Sequence, residues 1–224
     1  YSVKDYKAVN PEFGTEAGMS RTGGDVVQAD GYARWRQMAL TVNTPGCRLD
    51  HAMTYDPMRG KVVLFGGQSW DCGIDSSQTY EWDGRSWSLS SSGGPGRSGH
   101  AMVFDAVRKH VLIFGGGDDQ TWELDGTDWS RITTPGPSAR SYHAMAYDSA
   151  RKRAVLFGGG DDQTWEWDGK GWEMITPADP ENDGNPSIRS EHAMAYDKLR
   201  GVVVLSGGLN GTALGDTWEW NGAS

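Results

Sequence analysis

Four histidines, His51, His100, His143 and His192, stand in the same setting, each followed by Ala-Met. Four imidazoles around an axis would be a metal site. An arginine lies three residues before each one: Arg48, Arg97, Arg140 and Arg189. A ring of guanidinium forks would hold a carboxylate, a phosphate or an acidic peptide loop, because the planar fork binds such groups in pairs. Glu81, Glu123, Glu166 and Glu219 recur in the same way. Recurrence itself argues for scaffold: a residue present in every unit more often holds the unit together than serves as a site. There is no Gly-x-Ser-x-Gly elbow, no phosphate loop, no Cys-x-x-Cys and no His-Glu-x-x-His, so no familiar catalytic motif is present.

The elements that position these residues are repeats. The block His51-Ala-Met-Thr-Tyr-Asp56 returns as His100 to Asp105, His143 to Asp148 and His192 to Asp197. Each block is followed by an apolar run closed by a glycine pair: Gly66-Gly67, Gly115-Gly116, Gly158-Gly159 and Gly207-Gly208. An aromatic-Glu segment comes next, as in Trp165-Glu166-Trp167. Asp-Gly or Asn-Gly follows and, in three units, a further Trp (Trp87, Trp129, Trp172). The period-two block predicts strand A, and the short apolar run predicts a buried strand B. The aromatic-Glu segment predicts strand C. The Asp-Gly pair predicts a tight hairpin into strand D, since glycine accepts positive φ. One four-stranded sheet cannot bury both faces, whereas several stacked around an axis can.

These residues resemble the Kelch family: a glycine doublet after an apolar strand, then an aromatic, then a spaced Trp. The resemblance covers about residues 45–224 and implies an all-β fold, a Kelch-type β-propeller, and the four repeats make it one of four four-stranded blades. It implies no particular function, because Kelch propellers include binding modules and enzymes. The copper oxidases among them need a Tyr–Cys cross-link and dedicated histidines on a much longer chain. Here every histidine except His110 belongs to the repeat framework. The last unit shows no strand D. Asp30-Gly31-Tyr-Ala-Arg-Trp35 looks like the missing hairpin, so Trp35 to Leu40 is expected to close the ring as an N-terminal strand, removing an open edge. That sets an extension of unknown conformation over residues 1–33 and a propeller over 34–224. Gly23-Gly24 before Asp30-Gly31 also resembles a degenerate blade. A five-bladed form, or a fragment of a larger ring, is the alternative.

Strand order places the D-to-A and B-to-C loops on one face and the A-to-B and C-to-D turns on the other. The arginine ring falls on the first face, near the channel mouth. Function is better sought where the units differ. The first unit has a long B-to-C loop whose Trp70 and Ile74 would anchor a partner if exposed. The acidic pairs Asp118, Asp119 and Asp161, Asp162 are weak candidates for Ca²⁺. Asn210-Gly-Thr fits a glycosylation acceptor. Cys47 and Cys72 fall on the same face of the same unit. A disulfide between them would pin the long loop and imply an extracellular or periplasmic setting.

The net charge is −9 and glycine is high at 32 residues. An acidic chain disfavours non-specific binding to nucleic acid or to an anionic membrane surface. No apolar run is long enough to span a membrane. The sequence therefore leads to a non-catalytic binding or assembly module with no cofactor. Its partner would be a protein, including copies of itself. A carbohydrate-binding propeller and a sugar-active enzyme using the channel are the two alternatives.

Overall fold

The structure, a computed structural model, describes residues 37–38, 44–91, 93–178 and 184–222. Every regular element among them is a strand. The first sheet holds β1 (Ala52–Asp56), β2 (Lys61–Phe65), β3 (Thr79–Trp82) and β4 (Trp87–Ser91). The second holds β5 (Ala101–Asp105), β6 (His110–Phe114), β7 (Thr121–Leu124) and β8 (Trp129–Ile132). The third holds β9 (Ala144–Asp148), β10 (Arg153–Phe157), β11 (Thr164–Trp167) and β12 (Trp172–Ile175). The fourth holds β13 (Ala193–Asp197), β14 (Val202–Ser206) and β17 (Thr217–Trp220), with a small hairpin, β15 (Leu209–Asn210) and β16 (Thr212–Ala213), inserted before β17.

Neighbouring strands are antiparallel and follow chain order in each sheet. The sheets are the blades of a four-bladed β-propeller. Strands β1, β5, β9 and β13 are innermost, with β1 packed on β5, β5 on β9 and β9 on β13. The expected unit of strands A to D is complete in three blades, and the fourth has A, B and C among the described residues. The extension over 1–33 and, apart from Gln37 and Met38, the closing strand expected over Trp35 to Leu40 lie outside the described residues.

Period-two alternation explains why strand B carries apolar residues on both of its faces. In β6, Val111 and Ile113 pack toward the first blade with Phe65 and Val63. Leu112 and Phe114 pack toward the third blade with Met145 and Leu156. The strand is sandwiched, so neither parity faces water. In the second and third units the last Trp completes the seam. Trp129 lies 4.5 Å from Phe65 of the preceding blade and donates its indole N–H to Thr79 at 2.9 Å. Trp172 repeats this on Phe114 and Thr121, at 5.4 Å and 2.9 Å.

The glycine pairs sit where two blades come closest. In the first three pairs the second glycine donates its N–H to the carbonyl of the next blade's arginine: Gly67 to Arg97 at 2.9 Å, Gly116 to Arg140 at 2.9 Å, Gly159 to Arg189 at 2.8 Å. At Gly158 φ is +76°, and a Cβ would stand 2.5 Å from the Arg189 carbonyl oxygen and 2.6 Å from His192 Cε1. Backbone cannot give way there. Gly158→Ala should therefore cost about 2–4 kcal/mol in urea denaturation. Gly84→Ala is the matched control, with positive φ but nothing within 4 Å of the added methyl. It should cost only about 1 kcal/mol.

Candidate functional site

The four repeated arginines do not form an open cationic ring. Arg97, Arg140 and Arg189 are buried, at 6%, 3% and 2% exposure. Each guanidinium turns back to the carbonyl of the first glycine of its own blade: Arg48 to Gly66 at 2.6 Å, Arg97 to Gly115, Arg140 to Gly158 at 3.0 Å and Arg189 to Gly207 at 3.0 Å. Three of the four also meet carboxylates. Arg97 pairs with Asp118 at 3.2 Å, Arg140 with Asp161 at 2.8 Å and Arg189 with Asp216 at 2.6 Å. In the first blade Tyr80 takes the place of the acid, its ring 5.2 Å under the Arg48 guanidinium. Arg189, with the Trp218 indole N–H, holds the Asp216 carboxyl well below the usual carboxylate range.

The acidic pairs are drawn into the same contacts. Asp118 and Asp161 are bound to arginine and to the backbone N–H of Gln120 and Gln163. Their partners Asp119 and Asp162 are exposed singly. Among the described residues no group of three or more His, Cys, Asp or Glu is placed to hold a metal ion.

The histidines act across the seams, not within each blade as their repetition suggested. His100 meets the ring of Phe65 edge-on at 5.5 Å, His143 meets Phe114 at 5.6 Å and His192 meets Phe157 at 5.8 Å. Burial, reinforced by the neighbouring Arg97 and Arg140, pushes His100 and His143 down to about 3. Burial and Arg189 push His192 down to about 4. All three are neutral at pH 7.

The first aromatic of three strand C segments caps its own loop. Trp122 donates to Gln120 at 3.0 Å, Trp165 to Gln163 at 3.1 Å and Trp218 to Asp216 at 2.7 Å. On the opposite face, Asp56, Arg59 and Glu81 form a linked triad, repeated by Asp148, Arg151 and Glu166. The acids of both triads are buried, so this rim is knitted together and not merely solvated.

With its arginines engaged, the loop face presents negative charge. Its centre is a cavity of about 370 Å³ at the channel mouth, walled by Met102, Met145 and Met194 with alanines beside them. Four residues line its rim, each immediately before a framework histidine: Asp50, Gly99, Tyr142 and Glu191. All four are left-handed, with φ of 55°, 68°, 59° and 59°. Backbone bonds join them in a stair, Gly99 N–H to Asp50 O, Tyr142 to Gly99 and Glu191 to Tyr142, each 2.8 Å. Three non-glycine residues here carry strain of order 1 kcal/mol each. The Asp50 carboxylate accepts from Gln68 at 2.8 Å and from the Tyr142 hydroxyl at 3.4 Å. The charge on Asp50, with some burial, raises the Tyr142 phenol. Sequence reasoning passed over this rim. The available signal was one variable position inside an otherwise repeated Arg-x-x-His-Ala-Met block.

Beside the rim stands the long first-blade loop. Cys47 and Cys72 are joined, with Cα atoms 6.0 Å apart. Leu49 and Gln68 exchange two backbone bonds of 2.9 Å. Ser69 Oγ accepts from the N–H of Asp71 and Cys72. Ile74 is half-buried against Gly46, so it fastens the loop. Trp70 is 83% exposed. Asn210 is exposed on the β15–β16 hairpin of the same face.

No protein-family model matches the chain, and no curated protein is significantly similar to it.

Two outcomes are expected. Unreduced protein should weigh two hydrogens less than reduced protein by intact mass, and alkylation of two thiols in the native state would remove the disulfide. Acid should destabilise the fold through the histidines. Their folded pKa lies below the unfolded value of about 6.5, so the unfolded chain binds more protons between the two values. Their contribution is whole above about pH 6.5 and falls as the pH drops toward 4 and 3. Each imidazole costs roughly 2 kcal/mol by pH 5. Urea titrations at pH 7 and pH 5 should show this, and His143→Gln should flatten the dependence by one proton.

Proposed function

We propose that the chain is a Kelch-type propeller acting as a non-catalytic binding module in an extracellular or periplasmic setting, and that its loop face docks a protein partner. The observation that carries this reading is Trp70, a large aromatic left 83% exposed on a loop held by a disulfide and two backbone bonds. A rigid exposed indole loses little conformational freedom on binding, and such residues are frequent interface anchors. The neighbouring acidic rim favours a partner with basic side chains, which would gain in encounter rate from the negative field. The Kelch assignment rests on the glycine doublets and spaced tryptophans, and the location on the Cys47–Cys72 bond. Among the described residues no helix is long and apolar enough to cross a membrane.

The test compares wild type with Trp70→Ala and with the pair Asp50→Asn, Glu191→Gln, each immobilised and offered the proteins secreted by the source cells. One protein held by wild type, lost at least tenfold with Trp70→Ala and released by moderate salt is the expected result. Equal retention by all three would overturn the reading. Binding to a glycan array that Trp70→Ala abolishes would replace the protein partner by a carbohydrate.

A further inference from the structure

The cavity at the channel mouth changes character with depth. Along an innermost strand the chain passes the rim residue first, then histidine, alanine and methionine, as in Tyr142 to Met145. The methionines therefore lie about 10 Å farther down the channel than the rim, at roughly 3.3 Å per residue. There the wall is apolar: Met102, Met145 and Met194 stand with the alanines of the same strands. Thioether side chains are unbranched and polarizable, so such a wall adapts to the shape that enters. The rim is anionic, with the carboxylates of Asp50 and Glu191 and the phenol of Tyr142. Among the described residues no lysine or arginine borders the cavity. The imidazoles that border it, His100, His143 and His192, are neutral at pH 7. The two carboxylates are thus the only charges of its lining among the described residues. One polar group below the rim is also unmet. His100 is 6% exposed, and neither of its ring nitrogens has a hydrogen-bond partner among the described residues. Such a group is costly to bury alone and favours a ligand that reaches it.

We infer that this cavity binds a small organic amine, with its apolar body among the methionines and its ammonium at the Asp50 and Glu191 carboxylates. The order of charge and apolar wall selects this class. A lysine or arginine side chain of a partner would enter with its cation foremost. It would carry that charge past the rim to the imidazoles, where Arg97 and Arg140 stand beside His100 and His143. A free amine enters tail first and leaves its charge at the rim, where the field is negative. A sugar would find few hydrogen-bond partners on a methionine wall. The volume of about 370 Å³ lies near the lower bound for small-molecule sites, roughly 300 Å³, so a body of a single ring suits it. A hydroxyl at the far end of that ring could meet His100. The inference goes beyond the docking of a protein through Trp70 and does not rest on it.

Tyramine is the probe, titrated by calorimetry into the full chain, with 4-hydroxyphenylacetate beside it. The second compound keeps the ring and hydroxyl and replaces the amine by a carboxylate. Tyramine should saturate one site and shift the methyl signals of Met102, Met145 and Met194 in NMR spectra. The acid should bind at least about tenfold more weakly. Glu191→Gln should weaken tyramine about threefold, and Glu191→Lys at least about tenfold. Glu191 is exposed, so an unchanged urea midpoint is expected of both variants. Trp70→Ala should leave tyramine affinity within about twofold, since distant sites act independently. No saturable binding of tyramine up to about 10 mM, equal binding of amine and acid, or indifference to Glu191→Lys would each overturn the inference. A loss of tyramine with Trp70→Ala would move the amine to the first-blade loop and overturn it as well. The protein held through Trp70 is read by a separate measurement, so either conclusion can fail without the other.

Discussion

The structure depends on a chain of hydrogen bonds that runs through glycine backbone and arginine side chains from blade to blade. It starts at the Arg48 guanidinium on Gly66 O. Gly67 N–H then meets Arg97 O, and the Arg97 guanidinium meets Gly115 O. Gly116, Arg140, Gly158, Gly159, Arg189 and Gly207 continue the same alternation. A buried guanidinium is tolerable only with its donors met by good acceptors. For Arg97, Arg140 and Arg189 a carbonyl and a carboxylate meet most of them, so burial is offset and the guanidinium fixes its loop. The glycine pair is the other half of the constraint. A side chain at its first position would push the next blade's histidine and arginine carbonyl away.

That one constraint shapes the chemistry of the loop face. The arginines point into the scaffold, so their charge is cancelled before it reaches solvent. What remains outside is the acid they do not use: Asp119, Asp162, Asp71 and Glu191, all exposed. A face whose sequence carries an arginine in every repeat thus ends up negative. The histidines follow the same logic. Wedged between a phenylalanine edge and the glycine pair, they lose access to water and lose the proton with it.

Much of the fold was legible because its cause is local and repeated. Alternation marked the His-Ala-Met strands, and Asp168-Gly169 marked its hairpin. Strand B was legible as buried, but only packing shows that its two parities serve two different seams. The site was harder to read for a physical reason. Sequence gives the type of a side chain and not its direction, and Arg140 on an open loop or folded onto Gly158 reads the same. The Cys47–Cys72 bond was legible once the repeat had put both residues on one face of one blade. Trp70 was legible as the odd residue of the longest loop, whereas Ile74, its companion in the reading, turned inward onto Gly46.

The rim residues show how a repeat protein varies one position without disturbing the rest. Asp50, Gly99, Tyr142 and Glu191 share one left-handed backbone conformation and one stair of hydrogen bonds. Their side chains have nothing else in common. The main chain does the joining, and all four residues line the channel mouth. Glycine would be the easiest residue at all four points, and it occurs at only one. An acid, a phenol and a second acid held at positive φ are therefore retained against backbone strain. The Asp50 carboxylate is further steadied by Gln68, which belongs to the same strapped loop as Trp70. The rim and the loop are thus one connected surface. The seam chemistry that repeats builds the platform, and the positions freed by it carry the differences that recognition requires.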